Sequence, residues 1–331
     1  MSLALLCLAG LGLPARASAA EPDPDLGSIG IQLLEGPADR REDPRARRYI
    51  VDHLPPGTVV KRQMLVANKT DKRQEIELYP AAATVADARF QFGEGRTPNE
   101  LSSWISLDRK KVELEPGDEA RFRATITVPP AAPKGERYAV IWASIASEAN
   151  PDANVNKIHR VGVRTYLDIG IGGEPPSSFE IGDLVPARDT LGVPSVRIAV
   201  KNTGERALDL TGSVTLSDGP AGMQAGPFDV VEGTTLAPGE SGTVLATLPA
   251  EIPNGPWQID VNLESGQVKE SLSARITFPD PGRVGKPSSP LSRFDSPWVL
   301  AAASLVGLIL IAVLVLLIRR RSRRHRYDMS A

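Results

Sequence analysis

The chain has 331 residues, with 38 Lys and Arg against 40 Asp and Glu, and a formal charge of −2 that gives it no electrostatic reason to seek nucleic acid. A single cysteine, Cys7, excludes a disulfide framework and any Cys-based metal site. The length suits about two domains of roughly 100 to 200 residues beside targeting segments.

Leu3 to Leu13 is an apolar segment of 11 residues, too short to span a bilayer, followed by Pro14 and the small-residue pattern Ala17-Ser18-Ala19-Ala20. Residues 1–20 therefore read as a signal peptide cut after Ala19 or Ala20, and Cys7 leaves with it. No Lys or Arg precedes the apolar segment, which leaves two readings, a start upstream of Met1 or a weak export signal. Residues 21–27 follow as an acidic, proline-broken tip expected to be disordered. Glu21, Asp23 and Asp25 are split by Pro22 and Pro24 and read as solvated rather than as a calcium site.

From residue 28 the pattern is that of β-structure. In Arg121 to Val128, Phe122, Ala124, Ile126 and Val128 alternate with Arg121, Arg123, Thr125 and Thr127, which predicts a half-buried strand. The alternation recurs at Ile76 and Leu78, at Val196, Ile198 and Val200, at Trp257 to Leu263, and at Leu272 to Phe278. Breakers such as Pro55-Pro56-Gly57, Pro116-Gly117-Asp118 and Pro238-Gly239-Glu240 separate these runs, and no exterior segment sustains a 3.6-residue period. The expected class is all-β, with two tandem Ig-like antiparallel β-sandwich domains and one C-terminal transmembrane α-helix.

An internal repeat supports the pair of domains. Val66-Ala67-Asn68-Lys69-Thr70, Leu114-Glu115-Pro116-Gly117-Asp118 and Val128-Pro129 through Gly135 recur in order as Val200-Lys201-Asn202-Thr203-Gly204, Leu236-Ala237-Pro238-Gly239-Glu240 and Leu248-Pro249 through Gly255. The offsets are 134, 122 and 120 residues at the Asn, the Pro-Gly pair and the last Gly. The Asn and Gly residues suit the positive φ of hairpins, and the Pro-Gly pair a tight turn. Domain 1 is accordingly placed at 28–172 and domain 2 at 173–280, with the seam at Ile171 to Ser178, where Gly172-Gly173-Glu174-Pro175-Pro176 interrupts the strand pattern.

Residues 281–296, rich in Pro, Gly and Ser, read as an extended stalk. Residues 297–318 carry no charge, and 14 of these positions are Leu, Ile or Val. At about 0.3 to 0.6 kcal/mol each, those residues favour the bilayer by roughly 4 to 8 kcal/mol. The tail 319–331 opens with Arg319, Arg320, Arg321, Arg323, Arg324 and Arg326, which mark the cytoplasmic side, while Trp298 suits the outer interface. These residues are topology anchors, with anionic lipid as the tail's expected contact. The expected location is the cell membrane, single-pass type I, with the N-terminal domains outside.

By these residues the first half resembles the WxL-interacting proteins of Gram-positive cell surfaces, specifically their peptidoglycan-binding domain, a family known also as domain of unknown function 916. The likeness covers roughly residues 28 to 170 and rests on Asp43-Pro44-Arg45-Ala46 before Tyr49-Ile50-Val51, Pro56-Gly57, Leu65 to Asn68, Ala83-Thr84, Trp104-Ile105, the Leu114 to Asp118 turn, and Val128-Pro129 with Pro133 and Gly135. The resemblance implies an exported Ig-like pair ahead of a membrane helix, and peptidoglycan or a WxL-type surface protein as partner. The second copy is shorter than the family's usual host-binding domain and departs from it.

Candidate chemistry is sparse. His53, His159 and His325 are scattered, and no HExxH, GxSxG or Gly-rich phosphate loop occurs, so neither an enzyme nor a cofactor is expected. His53 reads as a turn residue, since the sequence identifies no Ser or carboxylate partner for it. Arg40, Arg41, Arg45, Arg47 and Arg48 are the candidate contacts for acidic wall polymers, against the favoured reading of a charged loop offset by Asp39, Glu42 and Asp43. Trp104, Trp142, Tyr138 and Tyr166 could stack on sugar rings, but strand positions favour a core, and Trp142 is expected inside. The expected function is non-covalent binding of peptidoglycan or a wall-associated protein. The alternative is a scaffold or accessory subunit of a membrane assembly, using Ala301, Ala302, Ala303, Ser304 and Gly307 for helix contact.

Overall fold

The computed structural model describes residues 29–37, 40–146 and 158–288. The first sandwich comprises β1 (Ile29–Leu33), α1 (Pro44–Arg48), β2 (Ile50–Leu54), β3 (Val59–Asn68), β4 (Gln74–Ala86), β5 (Arg89–Phe92), α2 (Glu100–Trp104), β6 (Ile105–Leu107), β7 (Lys111–Leu114), β8 (Glu119–Thr127), β9 (Gly135–Ala146) and β10 (Ile158–Ile169). The second comprises β11 (Phe179–Arg188), β12 (Pro194–Asn202), β13 (Leu208–Asp209), β14 (Thr211–Ser217), β15 (Ala225–Asp229), β16 (Thr235–Leu236), β17 (Ser241–Thr247), β18 (Gly255–Ser265), β19 (Val268–Phe278) and β20 (Arg283–Val284). The molecule is all-β, built of sandwich-like sheets.

In the first sandwich the sheet β1-β3-β8-β6 faces the sheet β2-β10-β9-β4-β5, with β7 also paired to β4. Between them lies a core containing Ile76, Leu78, Phe122, Ile126, Ile141 and Leu167, the inward members of the alternating runs. The N-terminal segment changes sheets. β1 runs antiparallel to β3, whereas β2 joins β10 in parallel, from Ile50 opposite Thr165 to Leu54 opposite Ile169. The switch is made at α1, where Asp43 caps the helix by accepting from Arg45 N at 2.8 Å and Pro44 takes the first turn. The sandwich is thus antiparallel except at this one pair.

The second sandwich packs β17-β12-β11-β20 against β15-β14-β18-β19 around Trp257, Leu216, Ile198 and Phe278. Its ladder continues past the end read from sequence. β20 pairs with Ala187 and Arg188 of β11, and Ser288 bridges Leu184, so residues 283–288 of the segment read as a stalk are bound to the domain edge. Among the described residues no helix is long and apolar enough to cross a membrane, and the run 297–318 lies outside them.

The repeated Asn residues do something other than adopt positive φ. Asn68 and Asn202 end β3 and β12, are 1 % and 0 % exposed, and neither has positive φ. Asn68 Nδ2 donates to Lys72 O at 2.8 Å and Leu114 O at 3.0 Å, while Asn202 Nδ2 donates to Arg206 O at 2.8 Å and Leu236 O at 3.0 Å. Each amide therefore pins its own turn to the strand leading into the Pro-Gly turn. The glycines of those turns do take positive φ, +82° at Gly117 and +77° at Gly239, and each turn closes from residue four to residue one at 3.0 Å.

Candidate functional site

The outer face of the sheet β2-β10-β9-β4-β5 is the distinctive surface of this molecule. β9 reads as an almost continuous apolar run, Tyr138 to Ala146, because both of its faces are covered. Inward residues such as Ala139 and Ile141 enter the core. Outward residues meet either the second domain or a patch of aromatic and arginine side chains.

Toward the second domain, alternate outward positions present Tyr138 and Glu136 on β9 and Tyr166 and Arg164 on β10, with Arg45 arriving from α1. Asp209 of β13 receives them. Its Oδ1 accepts from Tyr166 Oη at 2.7 Å, Thr235 Oγ1 at 2.8 Å and Arg164 Nη1 at 3.1 Å, and its Oδ2 lies 3.0 Å from Arg45 Nη2. Glu136 makes the reciprocal contact. It accepts from Ala207 N at 2.6 Å, Tyr138 Oη at 3.0 Å and Arg206 Nε at 3.2 Å. Glu174, in the segment joining the domains, pairs with both Arg40 and Arg206. A third contact involves the β4–β5 hairpin, where Ala88 N donates to Glu240 Oε1 at 2.7 Å and Ala88 O accepts from Thr235 N at 3.0 Å. The two sandwiches are thus joined through buried, multiply hydrogen-bonded charge, whose members are strongly destabilising to remove singly.

This environment shifts several groups. Burial, reinforced by Asp209, raises the Tyr166 phenol well above its usual value, and burial with the adjacent Glu136 raises Tyr138 as well. Burial lowers the Arg206 guanidinium from its usual value against the pull of Glu136. For the tyrosines the sign is definite. The folded chain keeps phenolic protons that the unfolded chain loses above about pH 10, so stability is complete below that pH and falls as pH rises through it. Urea unfolding between pH 8 and pH 11 should show a decline approaching about 1.4 kcal/mol per pH unit for each retained proton. Tyr166→Phe should flatten that slope, and an unchanged slope would remove Tyr166 from the account.

The five candidate arginines diverge in placement. Arg45 is consumed by Asp209, Ala207 O at 2.9 Å and the face of Tyr166, and Arg40 by Asp43 and Glu174. Arg48 sits 3.6 Å from Glu232, and Arg47 donates to Arg41 O at 3.1 Å. The half of this segment that looks most like a ligand-binding patch therefore belongs to the domain seam. Trp298, Arg319, Arg320, Arg321, Arg323, Arg324 and Arg326 lie outside the described residues, as do Glu21, Asp23 and Asp25. Among the described residues no group of three or more His, Cys, Asp or Glu is placed to hold a metal ion.

His53 has the carboxylate partner that its sequence neighbourhood does not reveal. On β2 its Nδ1 lies 2.6 Å from Asp168 Oδ2, and its Nε2 faces Gly172 O at 3.2 Å. Both ring nitrogens are engaged, which leaves none to accept a substrate proton, and the pair instead ties β2 to β10 and to the interdomain segment.

The aromatic residues also sort by face. Trp104 is half-buried against the first core beneath Arg137, and Tyr166 is fully buried at the seam. Trp142 is 5 % exposed, yet it packs on the outer face with Tyr79, Ala81 and Val140 rather than in the core. Cross-strand pairing puts Trp142 between Tyr79 and Gly162, and a Cβ at Gly162 would stand 2.7 Å from the indole, so only glycine lets the ring lie there. Arg160 covers Trp142 at 4.4 Å, Arg96 covers Tyr79 at 4.2 Å, and Phe92, 41 % exposed, meets Trp142 at 4.8 Å. This half of the face is open to solvent at Phe92 and the arginines.

No family model and no curated protein matches the chain. Solved structures are similar at low identity. The Class 5 fimbriae chaperone CfaA shares 13 % identity over 76 % of this chain and 99 % of its own, with a TM-score of 0.34. The E. coli chaperone DraB shares 14 % over 80 % and 98 %, with a TM-score of 0.36. The Salmonella enterica SafA pilin complex with the SafB chaperone gives 11 % over 74 % and 96 %, with a TM-score of 0.38. At these values the likeness carries no functional conclusion.

Proposed function

We propose that this chain is a non-enzymatic protein of the bacterial surface that binds peptidoglycan, or a protein associated with the wall, non-covalently through its first sandwich. The observation that supports this reading is the open patch of Phe92, Tyr79, Arg96 and Arg160 around Trp142. Aromatic rings offer flat apolar faces to sugars, and guanidinium groups offer planar donors to carboxylates. The resemblance to WxL-interacting proteins points to the same ligand. The second sandwich, fastened through Asp209 and Glu136, holds the patch at a set orientation, and residues 297–318 anchor the chain in the membrane with the arginine tail inside.

Purified residues 21–288 should sediment with isolated Gram-positive cell walls, and Phe92→Ala should weaken that binding about 3- to 10-fold, the scale of one aromatic contact. Recovery in the pellet no greater than that of an unrelated soluble β-sandwich would refute the reading.

A further inference from the structure

We propose that His53 is a pH-dependent clasp, which holds the interdomain segment on the first sandwich while its imidazole carries two protons and lets the segment go when it loses one. The ring faces two acceptors. Nδ1 lies 2.6 Å from Asp168 Oδ2, and Nε2 lies 3.2 Å from Gly172 O. A carboxylate and a carbonyl only accept, so each of these bonds needs a ring proton and the two together need an imidazolium. The segment fits closely around the ring. A Cβ at Gly170 would stand 3.1 Å from His53 Cε1, and Gly172 takes φ +97°, which glycine adopts without strain.

The surrounding charges decide which bond breaks. Strand register sets His53 of β2, Asp168 of β10 and Glu136 of β9 in one row across the sheet, and Glu174 follows Gly172 by two residues. The neighbouring cations are already matched, Arg206 with Glu136 and Glu174, Arg40 with Glu174, and Arg62 with Asp52. Asp168 has only His53. Its side chain is 2 % exposed, and among the described residues His53 is its one side-chain partner. A ring left with a single proton therefore keeps it on Nδ1, facing a buried charge, and gives up Gly172 O, a neutral acceptor on an exposed residue that water can serve. Imidazoles change charge between about pH 5 and 8, so acid surroundings close the clasp and alkaline ones open it. The segment it releases also carries Glu174 to Arg40 and Arg206, so the clasp steadies the seam as well. The clasp stands on this geometry. Its use, to fix the orientation of the Trp142 patch in acid surroundings, rests on the binding reading above.

Two backbone amides report the segment, Gly170 N, which donates to Leu54 O at 3.1 Å, and Glu205 N, which donates to Pro176 O at 2.9 Å. Hydrogen exchange of the full chain in detergent micelles, corrected for the intrinsic rate at each pH, reads both. Protection should fall about tenfold or more at each between about pH 5.5 and about pH 8.5, while that of Leu248 N, bonded to Pro194 O within the second sandwich, stays unchanged. His53→Phe fills the place without ring protons and should hold protection at its alkaline level throughout. Asp168→Asn keeps the size but removes the charge that retains the second proton, so the fall should move to lower pH. If Asp168→Asn loses its cooperative melt, nitrogen-15 spectra of the wild-type imidazole, assigned by its contact with Gly170, must show both ring nitrogens protonated at about pH 5.5 and one at about pH 8.5. Protection independent of pH, the same fall in His53→Phe, an unmoved profile in Asp168→Asn, or a singly protonated ring in acid would each overturn the proposal. Loss of the pH response with wall sedimentation intact condemns the clasp alone, whereas the converse condemns only the wall reading.

Discussion

Asp209→Ala should lower the stability of the joined domains by about 3 to 5 kcal/mol, the scale for removing one partner of a buried charge cluster. The carboxylate takes hydrogen bonds from Tyr166, Thr235 and Arg164 and sits beside Arg45, and among the described residues no other acid pairs with both Arg45 and Arg164. Removing it leaves two guanidinium groups at the seam without their shared counter-charge, and it leaves the Tyr166 and Thr235 hydroxyls without their acceptor. Asp209→Asn keeps the shape and one acceptor oxygen but removes the charge, so its loss should fall between wild type and Asp209→Ala. Scanning calorimetry separates this account from simple damage to β13. If Asp209 couples the domains, its loss should resolve one unfolding transition into two, with the first sandwich melting near its original temperature. A loss under about 1 kcal/mol with a single transition would show that the cluster does not join the domains.

The contrast between the core and the seam shows what local sequence can carry. The alternation in Arg121 to Val128 translates directly into burial, with Phe122, Ala124 and Ile126 inside and Arg121, Arg123 and Thr127 outside, because a strand's two faces are written every second residue. The repeat likewise places the Pro-Gly turns. The seam has no such record. Asp209 and Arg45 are 164 residues apart, and Glu136 and Arg206 are 70 apart, so nothing periodic links them. The arginines near residue 45 instead look like a solvated charged loop. Trp142 illustrates a subtler limit. An apolar run such as Tyr138 to Ala146 signals burial on both faces, but it does not say that one face is covered by another domain and by stacked arginines rather than by the opposite sheet. The carboxylate partner of His53 stays hidden for the same reason, since Asp168 reaches it only through the parallel pairing of β2 with β10.

Asn202→Ala should damage the second sandwich as much as Asp209→Ala does the seam, with an expected loss of about 3 to 5 kcal/mol, since each buried group left unsatisfied costs about 1 to 3 kcal/mol. The amide donates to two carbonyls, of Arg206 and Leu236, and its oxygen accepts from Gly204 N at 2.9 Å, all at a position with no exposure. Asn202→Asp distinguishes hydrogen bonding from volume, because it is nearly isosteric yet sets oxygen against both carbonyls. It should be at least as harmful as alanine, and urea unfolding that finds the Asn202→Asp variant within about 0.5 kcal/mol of wild type would dismiss the pin. Asn68→Ala should be comparably damaging to the first sandwich, since its amide makes the same two donations and also holds Thr70. The two pins differ in reach. Asn202 fixes the backbone of Arg206, whose guanidinium meets Glu136 and Glu174 across the seam, whereas Asn68 fixes the backbone of Lys72 in the turn between β3 and β4 of the first sandwich. Loss of Asn202 should therefore also loosen the domains from each other, and loss of Asn68 should leave their coupling intact.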